Sequence, residues 1–101
     1  MRLIIMFDLP SVTKTELKNV RKWHKFLIQH GFIMMTESVY SRLMMNKSIS
    51  ESIKKLVRVN LPPKGDVQML ELTERQFSSI EYCLGKRQSA VVDSAERYVE
   101  I

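Results

Sequence analysis

The chain is 101 residues long and 45% hydrophobic, with three glycines, three prolines and a net charge of +5, which fits one folded domain and excludes a disordered or fibrous polypeptide. That length leaves no room for separate catalytic and binding domains, so any composite site is expected to be shared with a partner. A single cysteine, Cys83, excludes an internal disulfide, and the longest apolar run, residues 3 to 7, is far too short to span a membrane.

Residues 2 to 7, RLIIMF, are apolar on both faces and predict a central strand, stopped by Pro10. Thr13 followed by Glu16 is a capping box that opens a helix running to about Gln29, and Gly31 ends it. At about 100° per residue, Leu17, Val20, His24, Leu27 and Ile28 share an apolar stripe, with Trp23 at its edge and Phe26 beyond it. His24 reads as a core-edge residue and His30 as a partner for the helix dipole. Residues 32 to 45 are β-branched, aromatic and methionine-rich without Gly or Pro, which predicts two strands with a tight bend at 36 to 38.

Ser48 and Glu51 predict a second capping box, and Ile49, Ile53, Leu56 and Val57 the stripe of a second helix that Asn60, Pro62 and Pro63 terminate. Residues 67 to 72 predict a strand. Thr73 and Gln76 open a short extra helix to about Leu84, residues 85 to 88 form a loop, and residues 98 to 101 predict a last short strand. Cys83 reads as a small buried hydrophobe. The order β-α-β-β-α-β is that of an α+β, ferredoxin-like domain with two helices on one face of an antiparallel sheet. Such a fold implies no activity by itself.

Charge is unevenly placed. Residues 1 to 60 hold eleven Lys and Arg against four Asp and Glu, whereas residues 61 to 101 hold five against seven. Lys14, Lys18, Arg21, Lys22 and Lys25 share one side of the first helix, either as a solvated face or as a track for a duplex backbone through phosphate contacts. Arg42, between strand residues, either meets a phosphate or faces water. Asp8 ends the apolar first strand as a lone acid. It either caps the turn ahead of Pro10 or serves as one of the one or two carboxylates that Mg²⁺ takes alongside waters and phosphate oxygens. A two-fold axis beside the strand end would pair two copies of it. No Gly-rich phosphate loop, zinc-ligand spacing or acid cluster suited to DNA strand transfer is present.

The segments MFDLP, KFLIQHGFIMM, SVYSRLMMN, LTERQF and SAERYVEI occur in this order along nearly the whole chain. Together they resemble the CRISPR-associated protein 2 family, and in particular its members from type II systems. The resemblance implies a homodimer of ferredoxin-like subunits, each C-terminal strand swapped onto the partner's sheet. It also implies a complex with the larger CRISPR integrase protein, in which the dimer is a central bridge that binds the incoming double-stranded DNA during spacer acquisition. Asp8 matches the family's catalytic, metal-binding aspartate, and Mg²⁺ is the implied metal. Family members often carry an arginine shortly after the aspartate motif, where this chain has Leu17, so no catalytic arginine is assigned. Two functions follow as expectations: a duplex-binding subunit of the integration complex, or a free-standing Mg²⁺-dependent endonuclease on RNA or DNA that uses paired Asp8. A ferredoxin-like RNA-binding module is a third class, but its Lys/Arg-Gly-Phe signature is missing. A cytoplasmic protein without membrane contact is expected, since the N-terminus shows no signal-peptide cleavage pattern.

Overall fold

A computed structural model describes residues 1–85. Their elements are β1 (Arg2–Asp8), α1 (Lys14–Gln29), β2 (Ile33–Thr36), β3 (Val39–Leu43), α2 (Lys47–Val59), β4 (Asp66–Leu72) and α3 (Glu74–Ser78). The four strands form one antiparallel sheet in the order β2-β3-β1-β4. This is the α+β arrangement expected from the sequence, with β1 at its centre. The expected strand at 98–101 and its swap onto a partner lie outside the described residues, as do positions 86–88 of the expected loop. None of the helices described is long and apolar enough to cross a membrane.

Strand alternation sorts β1 into two sides. Leu3 and Ile5 are completely buried against Trp23 and Leu27 of α1 and Val57 of α2, with Phe7 packed on the same cluster. Burial of side chains this size stabilises by about 1.5–3 kcal/mol each. Arg2, Ile4, Met6 and Asp8 point to the other side, which neither α1 nor α2 covers. Their register partners there include Leu43 on β3 and Leu70 on β4, which are 46% and 47% exposed.

The first helix starts as its capping box dictates. Thr13 Oγ1 accepts from the Glu16 amide at 3.1 Å, and Glu16 Oε1 accepts from the amides of Thr13 and Val12 at 3.0 and 2.9 Å. These amides hold the Glu16 carboxyl below its ordinary pKa. The buried stripe, however, is rotated from the one the periodicity suggests. Trp23 is at its centre with Leu27, whereas Ile28 is 55% exposed. An indole offers more apolar area than an isoleucine, and Phe7 meets it edge-on at 5.9 Å, so the helix turns to bury Trp23.

The second helix begins earlier than expected. Asn46, in extended conformation, is its N-cap and accepts from the Ile49 amide at 2.9 Å, while Ser48 lies within the first turn and is exposed. The bend between β2 and β3 falls at residues 37–38, as expected, with a register irregularity between Met34 and Thr36. Thr73 and Gln76 form the expected capping box of α3. That helix nonetheless stops at Ser78, because the hydroxyls of Ser78 and Ser79 donate to the carbonyls of Arg75 and Gln76. Cys83 is consequently exposed, not buried, with its Sγ 3.3 Å from Glu81 Oε2. Arg2 ties α3 back to β1, its guanidinium 4.4 Å from the Phe77 ring and paired with Glu74 at 3.0 Å.

Candidate functional site

Asp8 is the last residue of β1, exposed, on the side of the sheet that α1 and α2 leave free. What holds it there is the aromatic cluster on the opposite side of the strand end. Phe7 stacks on Tyr40 at 5.9 Å and meets the His24 ring edge-on at 5.6 Å, while Tyr40 Oη and His24 Nδ1 are 2.6 Å apart. Burial raises the Tyr40 pKa, with Glu37 adding to the effect, so the phenol remains protonated and occupied by this bond. His24 is thereby a partly buried partner of Tyr40 at the edge of the core.

The antiparallel register sets Asp66, the first residue of β4, directly opposite Asp8. Residues so paired project to the same side of a sheet, and their Cβ atoms stand within roughly 5.5 Å. The approach depends on Gly65, at φ +106°, where a Cβ would fall 2.6 Å from the Asp8 carbonyl oxygen and 2.7 Å from Leu9 Cδ2. Only glycine lets the chain leave the Pro62–Pro63 turn so close to the end of β1. Asp66 was missed by reading the sequence, because Lys64-Gly65-Asp66 there looks like an ordinary turn. Only the strand register makes it a neighbour of Asp8.

Two carboxylates on one side of a strand pair are hard oxygen donors of the kind Mg²⁺ accepts, and that ion commonly uses one or two of them with waters and phosphate oxygens. Among the described residues no group of three or more His, Cys, Asp or Glu side chains is placed to hold a metal. Asp8 and Asp66 therefore fit Mg²⁺ in ligand type and leave the rest of a coordination shell to solvent, phosphate or a second copy of the chain.

The five basic residues of α1 are all exposed, and two of them also border a groove. Lys22 and Lys25 border a groove between α1 and the C-terminal end of α2, whereas Lys14, Lys18 and Arg21 stand clear of it. Arg42 is separate from them all. Its register position opposite Leu3 puts it on the helix-covered side of β3, half-buried, with its guanidinium group beside Gly31 just past the end of α1. The partial negative charge at a helix C-terminus favours a cation in that place. His30 caps the same helix and leans on Phe26 at 4.6 Å between ring centroids.

A second polar cluster, also unforeseen, joins α2 to the sheet. Glu71 on β4 accepts from Ser50 Oγ at 2.8 Å and from Lys54 Nζ at 3.0 Å. These bonds hold the Glu71 carboxyl below its ordinary pKa, and the bond to Glu71 raises that of Lys54. Its partners are internal, so its role is to fasten α2 over β4.

A family model described as CRISPR associated protein Cas2 matches residues 1–80. A CRISPR-associated endoribonuclease Cas2 from Ligilactobacillus salivarius is 48% identical over 99 residues, covering 98% of each chain. The protein of the same name from Streptococcus mutans is 41% identical over 99 residues, covering 98% of this chain and 91% of the relative. That from Lacticaseibacillus rhamnosus is 38% identical over 101 residues with both chains covered in full. The crystal structure of Streptococcus pyogenes Cas2 at pH 6.5 superimposes with a TM-score of 0.61 at 16% identity, over 84% of this chain and 100% of that one, a likeness of fold. With the family model spanning most of its length and such relatives matching it almost end to end, the chain belongs to the CRISPR-associated protein Cas2 family.

Proposed function

We propose that the chain acts in CRISPR adaptation as a homodimeric subunit that holds an incoming DNA duplex by its backbone and bridges copies of the larger CRISPR integrase protein. The observation that carries this reading is the side of the sheet that neither α1 nor α2 covers, which among the described residues only α3 meets, where Phe77 lies under Arg2. Exposed Leu43 and Leu70 lie on it, and Asp8 and Asp66 stand at one end. A second copy packed against that side would cover the apolar residues and bring two Asp8 side chains together about a two-fold axis. Like charges at such range need a proton or a cation between them, which is the place for Mg²⁺. Lys14, Lys18, Arg21, Lys22 and Lys25 supply phosphate contacts that position a duplex without reading its sequence.

A second reading is favoured by the name of the relatives, which calls them endoribonucleases. In it the same paired Asp8 serves phosphodiester hydrolysis on RNA or DNA. Mg²⁺ bound there would neutralise phosphate charge and lower the pKa of a bound water. In either case Asp8 would supply the metal-binding carboxylate oxygens, and the aromatic cluster beneath keeps the strand end fixed.

Asp8→Asn separates the two. The substitution keeps the size and a weak oxygen ligand but removes the charge. The expected outcome is loss of any Mg²⁺-dependent cleavage, with dimerisation, duplex binding and uptake of new spacers in cells retained. If uptake stops while the variant still folds, dimerises and binds the integrase protein, the bridging role alone is insufficient and the hydrolytic reading stands.

A further inference from the structure

Between the outer half of α1 and the end of α2 runs a groove of about 680 Å³. Its apolar lining comes from Trp23 and Phe26 on one side and Leu56, Val59 and Leu61 on the other. Two of these are open to solvent, Val59 at 73% and Leu61 at 47%. Pro62 and Pro63 are part of the lining and stiffen it. The charged residues around it are all of one sign, Lys22 and Lys25, with His30 beside them and no carboxylate among the lining. The Trp23 indole N–H, buried in the wall, has no acceptor.

We infer that this groove is a docking site for a short acidic, apolar-anchored peptide segment of a protein partner. An apolar floor exposed to water is covered at little cost by aliphatic or aromatic anchors, as in helix-in-groove and extended-peptide recognition. Charge selects the rest. A basic segment would be repelled by Lys22 and Lys25, and a neutral one would take water from both without supplying a partner, whereas Asp or Glu side chains beside the anchors pair with them. A nucleic acid strand fits less well, because phosphates lying over Leu56, Val59 and Leu61 would lose hydration against an apolar wall, whereas the donors of the lining, Lys22, Lys25 and the Asn19, Gln29 and Asn60 amides, serve a carboxylate beside an apolar anchor equally.

The site is distinct from Asp8 and shares with the proposed duplex surface only Lys22 and Lys25. Occupation of the groove would therefore take two of the five α1 cations out of phosphate contact, coupling partner docking to the strength of duplex binding.

The test pans a random short-peptide library against the intact protein and against Val59→Ser/Leu61→Ser. Both positions are solvent-exposed, and neither lies in the proposed duplex surface. Selected sequences should combine apolar residues with Asp or Glu. They should move the indole N–H resonance of Trp23, which is the chain's one tryptophan, in an amide-correlation spectrum. Binding should weaken about tenfold in Lys22→Glu/Lys25→Glu and vanish in Val59→Ser/Leu61→Ser, while the latter keeps a native spectrum and unaltered duplex affinity. Three results would overturn the inference: enrichment of basic or uncharged sequences, equal recovery on the serine variant, or a shift of the Trp23 signal by a single-stranded oligonucleotide and by no selected peptide. None of these bears on the Asp8 experiment, so the two proposals fail separately.

Discussion

Replacing Gly65 by Ala should be the most damaging single methyl addition among the described glycines. The residue sits at φ +106°, which costs an L-amino acid about 1–2 kcal/mol. The new Cβ would also lie 2.6 Å from the Asp8 carbonyl oxygen and 3.1 Å from Leu9 Cα, both main-chain atoms held by β1. Forcing backbone apart in a packed place adds roughly 1–3 kcal/mol. The reduced freedom of the unfolded chain returns about 0.4–1 kcal/mol. A net loss of roughly 2–4 kcal/mol follows, and at about 4–8 °C per kcal/mol for a domain of this size the melting temperature should fall by roughly 8–32 °C. Gly31 is the internal control. Its φ is +84°, but the nearest atoms to an added Cβ belong to the Arg42 side chain at 3.3 Å and beyond, which can swing aside. Gly31→Ala should therefore lose only the dihedral part, about 1–2 kcal/mol, less the same return of about 0.4–1 kcal/mol from the unfolded chain. Urea and thermal unfolding of the two variants at one fixed protein concentration measures the difference, since any dimer makes apparent stability concentration-dependent. Equal losses would refute the reasoning: the loop before β4 would then relax freely, and the apposition of Asp66 to Asp8 would not be enforced by the chain.

The position of the second helix's cap is open to a direct check by unfolding: Asn46→Ala should cost about 1 kcal/mol, and Ser48→Ala should stay within about 0.5 kcal/mol. Reversed magnitudes would return the start of α2 to Ser48. The Glu71 cluster predicts a pH dependence. Its carboxyl titrates below the ordinary 4.5 in the folded chain, so the stabilisation is complete above 4.5 and is lost as pH falls through the lower folded value. Lys54 titrates above its ordinary 10.5, so its share is complete below 10.5 and is lost as pH rises beyond that value. Glu71→Gln should cost about 1 kcal/mol at neutral pH and flatten the acid limb of a stability-against-pH curve. An acid limb as steep as that of the parent chain would show that other carboxylates govern it.

The order and type of the elements from β1 to α3 were legible from residues adjacent in the chain. Local rules do that work: the Thr13–Glu16 and Thr73–Gln76 boxes satisfy their own amides, Pro10 and Pro62–Pro63 cannot continue what precedes them, and the unbroken apolar run Leu3 to Phe7 in β1 has to be central. Five short segments in the right order also carried the family. What the sequence left open depends on neighbours distant along the chain. Which side of α1 is buried was decided by Phe7 meeting Trp23, and no helical periodicity contains that contact. Ser48 and Asn46 are both good caps in isolation, and the start of α2 was settled where Ser50 reaches Glu71 across the sheet. Asp8 was legible as an odd acid at a strand end. Its companion Asp66 was not, since antiparallel register joins residues 58 positions apart through a close approach that only Gly65 allows. Helical spacing likewise put five cations on one face of α1, but only the packing of α2 and its proline turn beside that helix sets two of them, Lys22 and Lys25, along an apolar groove.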